Sequence, residues 1–178
     1  VTVYENFIYF IINNFINQLL GKQNETNWFL RSKTKINYWG LFIRQCKSLG
    51  AFKDRAGKVT RQFSADLNGK WDGKQLILDE KFNWTDGEIQ TRQWQITKID
   101  EHNYEGTAGD VVGKAKGYSY GPAFKFEYVL LVPVKGKEIK ITFDDWIFKQ
   151  DDKVAINRAT MTKFGIKVAE LTVMFVKN

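Results

Sequence analysis

The chain is poor in the residues that most often carry covalent or metal chemistry. Its 178 residues include one cysteine, Cys46, and one histidine, His102. A lone cysteine excludes an intramolecular disulfide and a cysteine-rich zinc site. A lone histidine excludes multi-histidine metal centres, and a histidine-based triad would have to use His102. The stretch around it, "IDEHNYEG", reads as a turn, where a histidine is ordinarily solvated. The two prolines, Pro122 and Pro133, exclude a proline-rich linker. Net charge is +7, yet no block of five like charges occurs, only pairs such as Lys33/Lys35, Lys114/Lys116 and Lys135/Lys137. Scattered lysines fit solvated faces, so nucleic acid is not expected as a partner. No metal and no cofactor is expected.

What is present is apolar and aromatic: 43% hydrophobic and 15% aromatic residues, enough for one domain with a real core and short for two. The first 24 residues stand apart. In "YENFIYFIINNFINQLLGKQN", Phe7, Ile8, Ile11, Ile12, Phe15, Ile16 and Leu19 fall on one helical side, with Asn6, Asn13, Asn14, Asn17 and Gln18 opposite. Gly21 is a stop signal. The run is too polar and short for a transmembrane helix, and lacks the basic start and cleavage site of a signal peptide. It is expected to be an amphipathic helix packed on or capping the domain, or a degenerate export or anchor segment. Membrane-surface contact through its apolar face is the partner it would allow.

From Val59 the period becomes two. Val59, Phe63, Ala65 and Leu67 alternate with polar residues, as do Leu76, Leu78, Phe82 and Trp84, and then Trp94 and Ile96, which share a face with Arg92. Asp72-Gly73 and Asp86-Gly87 are hairpin signals. Gly106, Gly109, Gly113 and Gly117 suggest bends or close approaches in short strands. Phe124 to Val132, Glu138 to Phe148, Val154 to Lys163 and Val168 to Val176 complete the series. Eight or nine short strands without helical crossovers predict an antiparallel all-β fold, and closure removes its edges. The expectation is an eight- to nine-stranded up-and-down lipocalin-like barrel, preceded by the amphipathic helix.

The stretches "FKDRAGKVTRQF", "DGEIQTRQWQI", "YEGTAGDVVGKAKG", "FDDWIFKQDDKVAINRATMTKFG" and "ELTVMF" resemble a bacterial family known as domain of unknown function 3833, from about Gly50 to the C-terminus. The resemblance implies a lipocalin-type barrel and, for many members, an exported lipoprotein, hence a place in the cell envelope or periplasm. This chain departs from that pattern in having no lipobox cysteine after its apolar segment, so a cytoplasmic place stays open. It also carries "IRQCKSLGAF" (residues 43–52) after "NYWGLF", which reads as an insertion within the domain at 25–178, forming a loop or spoiling the first strand.

The polar constellation lies in "FDDWIFKQDDKVAINRATMTKFG". Alternation puts Asp145 on one face of a strand and Asp144 and Trp146 on the other, with Arg158 on the next strand of a hairpin. Three readings compete. One is a structural Asp–Arg pair, with Trp146 or Trp39 stacked on the guanidinium to close a barrel end. The second is ligand binding, with Arg158 as the handle for a carboxylate or phosphate head and Trp146, Asp144, Asp145 and Trp94 around it. The third is acid–base catalysis by Asp144 and Asp145, which alternation opposes because neighbouring strand residues face opposite ways. The expected function is non-catalytic binding of an apolar or amphiphilic, lipid-like small molecule. The alternatives are an isomerase or cyclase acting on an apolar substrate, which needs a cavity carboxylate of raised pKa, and a packed, partner-binding barrel.

Overall fold

Period-two alternation runs through most of the strands. A computed structural model describes residues 38–134 and 136–178. The amphipathic segment expected over residues 1–24 lies outside them. A short helix α1 (Tyr38–Phe42) leads into β1 (Arg44–Asp54), β2 (Val59–Trp71), β3 (Gln75–Trp84), β4 (Ile89–Lys98) and β5 (Asn103–Thr107). There follow β6 (Ala115–Tyr120), β7 (Ala123–Val134), β8 (Lys137–Lys149), β9 (Val154–Lys163) and β10 (Ile166–Lys177). Each strand pairs antiparallel with its sequence neighbours, and β1 pairs with β10 to close the barrel.

The barrel therefore has ten strands, not eight or nine. The additional strand is β1, made largely of the residues 43–52 that read as an insertion. They form neither a loop nor a spoiled strand: nine residues of β1 are in register with β10, from Cys46↔Lys177 to Asp54↔Ala169. Alternation is hidden there because the inner face carries small residues, Cys46, Ser48 and Gly50, while Leu49 points out and is 57% exposed. Small residues are needed because the neighbouring strand β2 lays a bulky ring over this face, from Phe63, the ladder partner of Gly50. A Cβ on Gly50 would lie 2.2 Å from the Phe63 ring. Similarly, Gly106 and Gly117 sit under the rings of Phe126 and Phe124, the close approach expected of that glycine-rich stretch.

Turn chemistry fixes the register. Asp72 Oδ1 accepts from the backbone N–H groups of Lys74 and Gln75, Asp100 Oδ1 from those of His102 and Asn103, and Asp151 Oδ1 from those of Lys153 and Val154. Each is an aspartate folding back on its own turn. Gly73 and Gly87, as the Asp-Gly signals require, have φ of 102° and 89°.

The two barrel ends differ. Helix α1 covers one, with Leu41 and Phe42 buried and Phe42 edge-on to Phe175 at 5.2 Å. Lys177 Nζ ties the helix down by donating to the Gly40 carbonyl at 2.6 Å. The other end is framed by Phe52, Phe63, Phe82 and Trp84, with ring centroids 5.1–6.2 Å apart. Along the wall, β4 pairs with β5 only from Gln95 to Lys98. Beside the first half of β4 runs the β5–β6 connection, held to β7 by Val112 N–H to Val129 O and Leu131 N–H to Asp110 O.

Candidate ligand-binding cavity

The inward faces of eight of the strands, all but β5 and β6, do not fill the interior. They enclose a cavity of about 160 Å³, lined chiefly by apolar and aromatic side chains, among them Leu78, Phe82, Trp94, Phe126, Phe143 and Val173. That volume is close to the space one benzene ring occupies in an apolar protein cavity. Around the lower part, rings pack edge to face and stacked: Trp94 lies 5.1 Å from Phe126 and 5.3 Å from Tyr128, and Tyr128 stacks on Phe143 at 5.0 Å.

A belt of polar groups crosses this apolar lining. Asp145, inward on β8, accepts from Tyr128 Oη at 2.8 Å and from the Asn157 side-chain amide. Asn157 also donates to the Trp146 carbonyl at 3.3 Å. Burial pushes the Asp145 carboxyl above its ordinary range, and the hydrogen bonds from Asn157 and Tyr128 offset this only in part. Burial likewise raises the Tyr128 phenol, and the neighbouring Asp145 charge adds to it.

Glu80 and Arg92 face each other across β3 and β4. Glu80 Oε2 lies 3.9 Å from an Arg92 nitrogen, too far for a hydrogen bond, and has no hydrogen-bond partner although it is buried. Burial pushes the Glu80 carboxyl up to about 7; Arg92 and a hydrogen bond from the Trp94 side chain pull it down, while Asp110 and Asp145 add to the rise. Arg92 spends its best donors elsewhere. Its Nε and one Nη hold Asp110 at 2.6–3.1 Å, clasping β4 to the β5–β6 connection where the ladder is missing. Burial works against the Arg92 charge, and Glu80 and Asp110 more than offset it, so its pKa is raised.

The residues singled out in the sequence separate across the barrel wall. Asp145 and Trp94 line the cavity. Arg158, Trp146 and Asp144 do not, because all three lie on the outward side of the pleat. Arg158, with its side chain 68% exposed, sits opposite Trp146 and pairs with Glu170 on β10 at 3.1 Å rather than with an aspartate of the hairpin. Asp144 lies 3.6 Å from Lys125, and Trp146 stacks on Phe148 with Lys125 over its ring. The Arg–Trp closure does occur, with other residues: Arg61 lies 3.8 Å above the Trp84 ring at the aromatic end, held there by Asp86 and Glu88. The Trp39 side chain is outside the described set. His102 stays in its turn, with Nδ1 3.0 Å from the Ser119 carbonyl.

The polar residues of the lining that were not among the sequence candidates for binding are Glu80, Arg92, Tyr128 and Asn157. Two carried a legible signal. Glu80 interrupts the run Leu76, Leu78, Phe82, Trp84 on an otherwise apolar face, and Arg92 shares its face with Trp94 and Ile96. A charge at an inward position of an apolar strand needs a partner, and here the two lie opposite each other.

Fold and site together define a class: a small closed antiparallel barrel with a ring-lined interior cavity and a charged belt. Within that class the chain belongs to the DUF3833 family of proteins of unknown function, whose model matches residues 17–177. Among solved structures, the chain is similar to an S-type phycobiliprotein lyase from Guillardia theta, at 9% identity and a TM-score of 0.56, covering 91% of this chain and 97% of that one. It is also similar to a protein of unknown function of the DUF3598 family from Nostoc punctiforme, at 13% identity and a TM-score of 0.56. That likeness covers 76% of this chain and 47% of the other, so the chain spans about half its length. At such identities the likeness is one of fold. No curated protein matches the chain by sequence.

Proposed function

We propose that the protein is a non-catalytic binder of a small apolar or amphiphilic molecule, held inside the barrel. The observation that carries this reading is the unfilled, largely apolar cavity with a few convergent polar groups, the usual make-up of a small-molecule site. Native interiors are otherwise packed to crystal-like density, so a ring-sized void at the centre of a core calls for an occupant. Its size favours a ring or a short alkyl segment as the buried part. A longer, lipid-like tail would have to leave between Phe52, Phe82 and Trp84. That a barrel of the same fold is described as a phycobiliprotein lyase agrees with handling of a small molecule without indicating which. A place in the cell envelope belongs to the same proposal, on family resemblance. Native mass spectrometry of protein from its own host, with extraction of what co-purifies, tests it. A bound small molecule is expected, and a clean ligand-free mass under mild conditions would favour a barrel that works through its outer surface.

A second reading has one specific observation behind it. Glu80 is a cavity carboxyl poised near 7, the value suited to general acid–base catalysis. It would make the cavity the site of an isomerase- or cyclase-type enzyme. Turnover of a recovered ligand that is lost in Glu80→Gln would favour this reading, and unchanged recovery of the ligand would oppose it.

A further inference from the structure

We infer that the cavity selects a ligand carrying a protonated nitrogen, an aromatic or short-chain amine, and rejects one with a carboxylate or phosphate head. This deepens the small-molecule reading above and rests on it. The argument begins with charge balance. Among the described residues lining the cavity, Arg92 is the sole cation, while Glu80 and Asp145 are both acids. Arg92 is already engaged: its Nε and one Nη are bound to the two oxygens of Asp110, itself outside the lining. An incoming anion would therefore meet two carboxyls in the lining and a third behind the guanidinium. In a medium of low dielectric, added negative charge there is strongly opposed.

An ammonium group meets the opposite situation. Glu80 Oε2 is a buried acceptor without a hydrogen-bond partner. Buried acceptors are ordinarily satisfied, so one left open beside a cavity points to a donor that arrives with the ligand. Asp145 is held rigidly by Tyr128 and Asn157 on the same lining, and adds attraction without having to move. The rings of Trp94 and Phe82 supply π faces that favour a cation and cover an aromatic body. The charged groups facing Glu80 are thus one cation, Arg92, and two acids, Asp110 and Asp145, with Trp94 as a neutral hydrogen-bond donor, and loss of the Glu80 proton adds a further negative charge.

The test uses three ring-sized probes, benzylamine, toluene and benzoate, titrated into the isotopically labelled protein at pH 8 and followed by NMR. Benzylamine is expected to bind at least about tenfold more tightly than toluene, and benzoate more weakly than toluene. In Glu80→Gln the benzylamine-to-toluene ratio should fall towards one, whereas Arg158→Ala, on the outer face, should keep it. Thermal unfolding of each variant checks that it is folded. The wild type gives the same test without mutation: the ratio should rise from pH 6 to pH 8 as Glu80 ionises. Benzoate binding as tightly as benzylamine, or a ratio indifferent to Glu80 and to pH, would overturn the inference. If toluene binds and benzylamine gains nothing, only the ligand class is wrong. If none of the three binds, the small-molecule reading falls with it.

Discussion

Glu80 shows why single residues decide this interior. A carboxyl whose folded pKa lies above its unfolded value holds a proton in the folded state that the unfolded state has already released. Its contribution to stability is therefore full below the ordinary glutamate range and is lost as pH rises through about 7. The loss across that window is of order 3 kcal/mol. Glu80→Gln should remove this decline, so that denaturant unfolding at pH 8 shows the variant more stable than wild type and at pH 4 close to it. A variant with the wild-type pH slope would show that Glu80 does not titrate in that range. Tyr128→Phe should act in the other direction, because it removes one of two donors to buried Asp145. A loss of about 1–3 kcal/mol is expected in the same assay. Arg158→Ala should leave unfolding essentially unchanged, since Arg158 itself is exposed and its half-buried partner Glu170 is also held by Lys167 at 2.6 Å. The sequence alone invited the opposite ranking. An arginine within a strand looked like a buried charge in need of a reason, but its parity with Val154, Ile156 and Thr160 belongs to the outer face. Parity separates the two faces without saying which is inside. The neighbours Ala155, Asn157 and Ala159 are small or polar enough to hide that, with Met161, they form the inner one.

At the scale of elements, β1 and α1 close the barrel and are the elements that alternation does not reveal. Strands with bulky inner faces, such as β7 with Phe124, Phe126, Tyr128 and Leu130, were legible because alternation in size matches alternation in burial. In β1 the two run against each other, since Leu49 is outside and Cys46, Ser48 and Gly50 inside. Only the neighbouring strand, above all Phe63 paired with Gly50, explains that pattern, and the composition of β1 alone does not show it. Helix α1 is likewise seated by contacts that come from β2 and β10. A Cβ on Gly69 would lie 2.0 Å from the Phe42 carbonyl oxygen, a backbone atom that can yield only if the helix shifts. Gly69→Ala should therefore unseat α1 and destabilise the protein by about 1–3 kcal/mol, the usual cost of overpacking. Gly57→Ala would meet open space but at a φ of 81°, so any loss there comes from the turn alone. Hydrogen exchange separates the two: Gly69→Ala should expose amides of α1, β1 and β10, and a uniform response over the barrel would contradict a local role.

For the whole molecule, topology was easier to anticipate than function. Nine of the ten strands and the turns joining them follow from period two, Asp-Gly signals and the need to remove edges. The closed meander then follows with little freedom. The site does not follow in the same way. It depends on which inward positions are charged, on how far those charges pair, and on how much space the rings leave. Glu80 and Arg92 stood in the sequence at inward positions of β3 and β4, 12 residues apart, but only the register Glu80↔Arg92 brings them opposite each other. Asp110, which takes the arginine away from the cavity, comes from a connection that no periodicity describes. The cavity itself is a property of the assembled wall. The most direct test of a binding barrel is therefore an NMR titration of toluene observed at side-chain methyl groups. Saturable shifts of the lining methyls of Leu76, Leu78, Ile96 and Val173, at one ligand per chain, are the expected result. Absence of shifts there, or shifts confined to the outward Leu49, Ile156 and Met174, would contradict it.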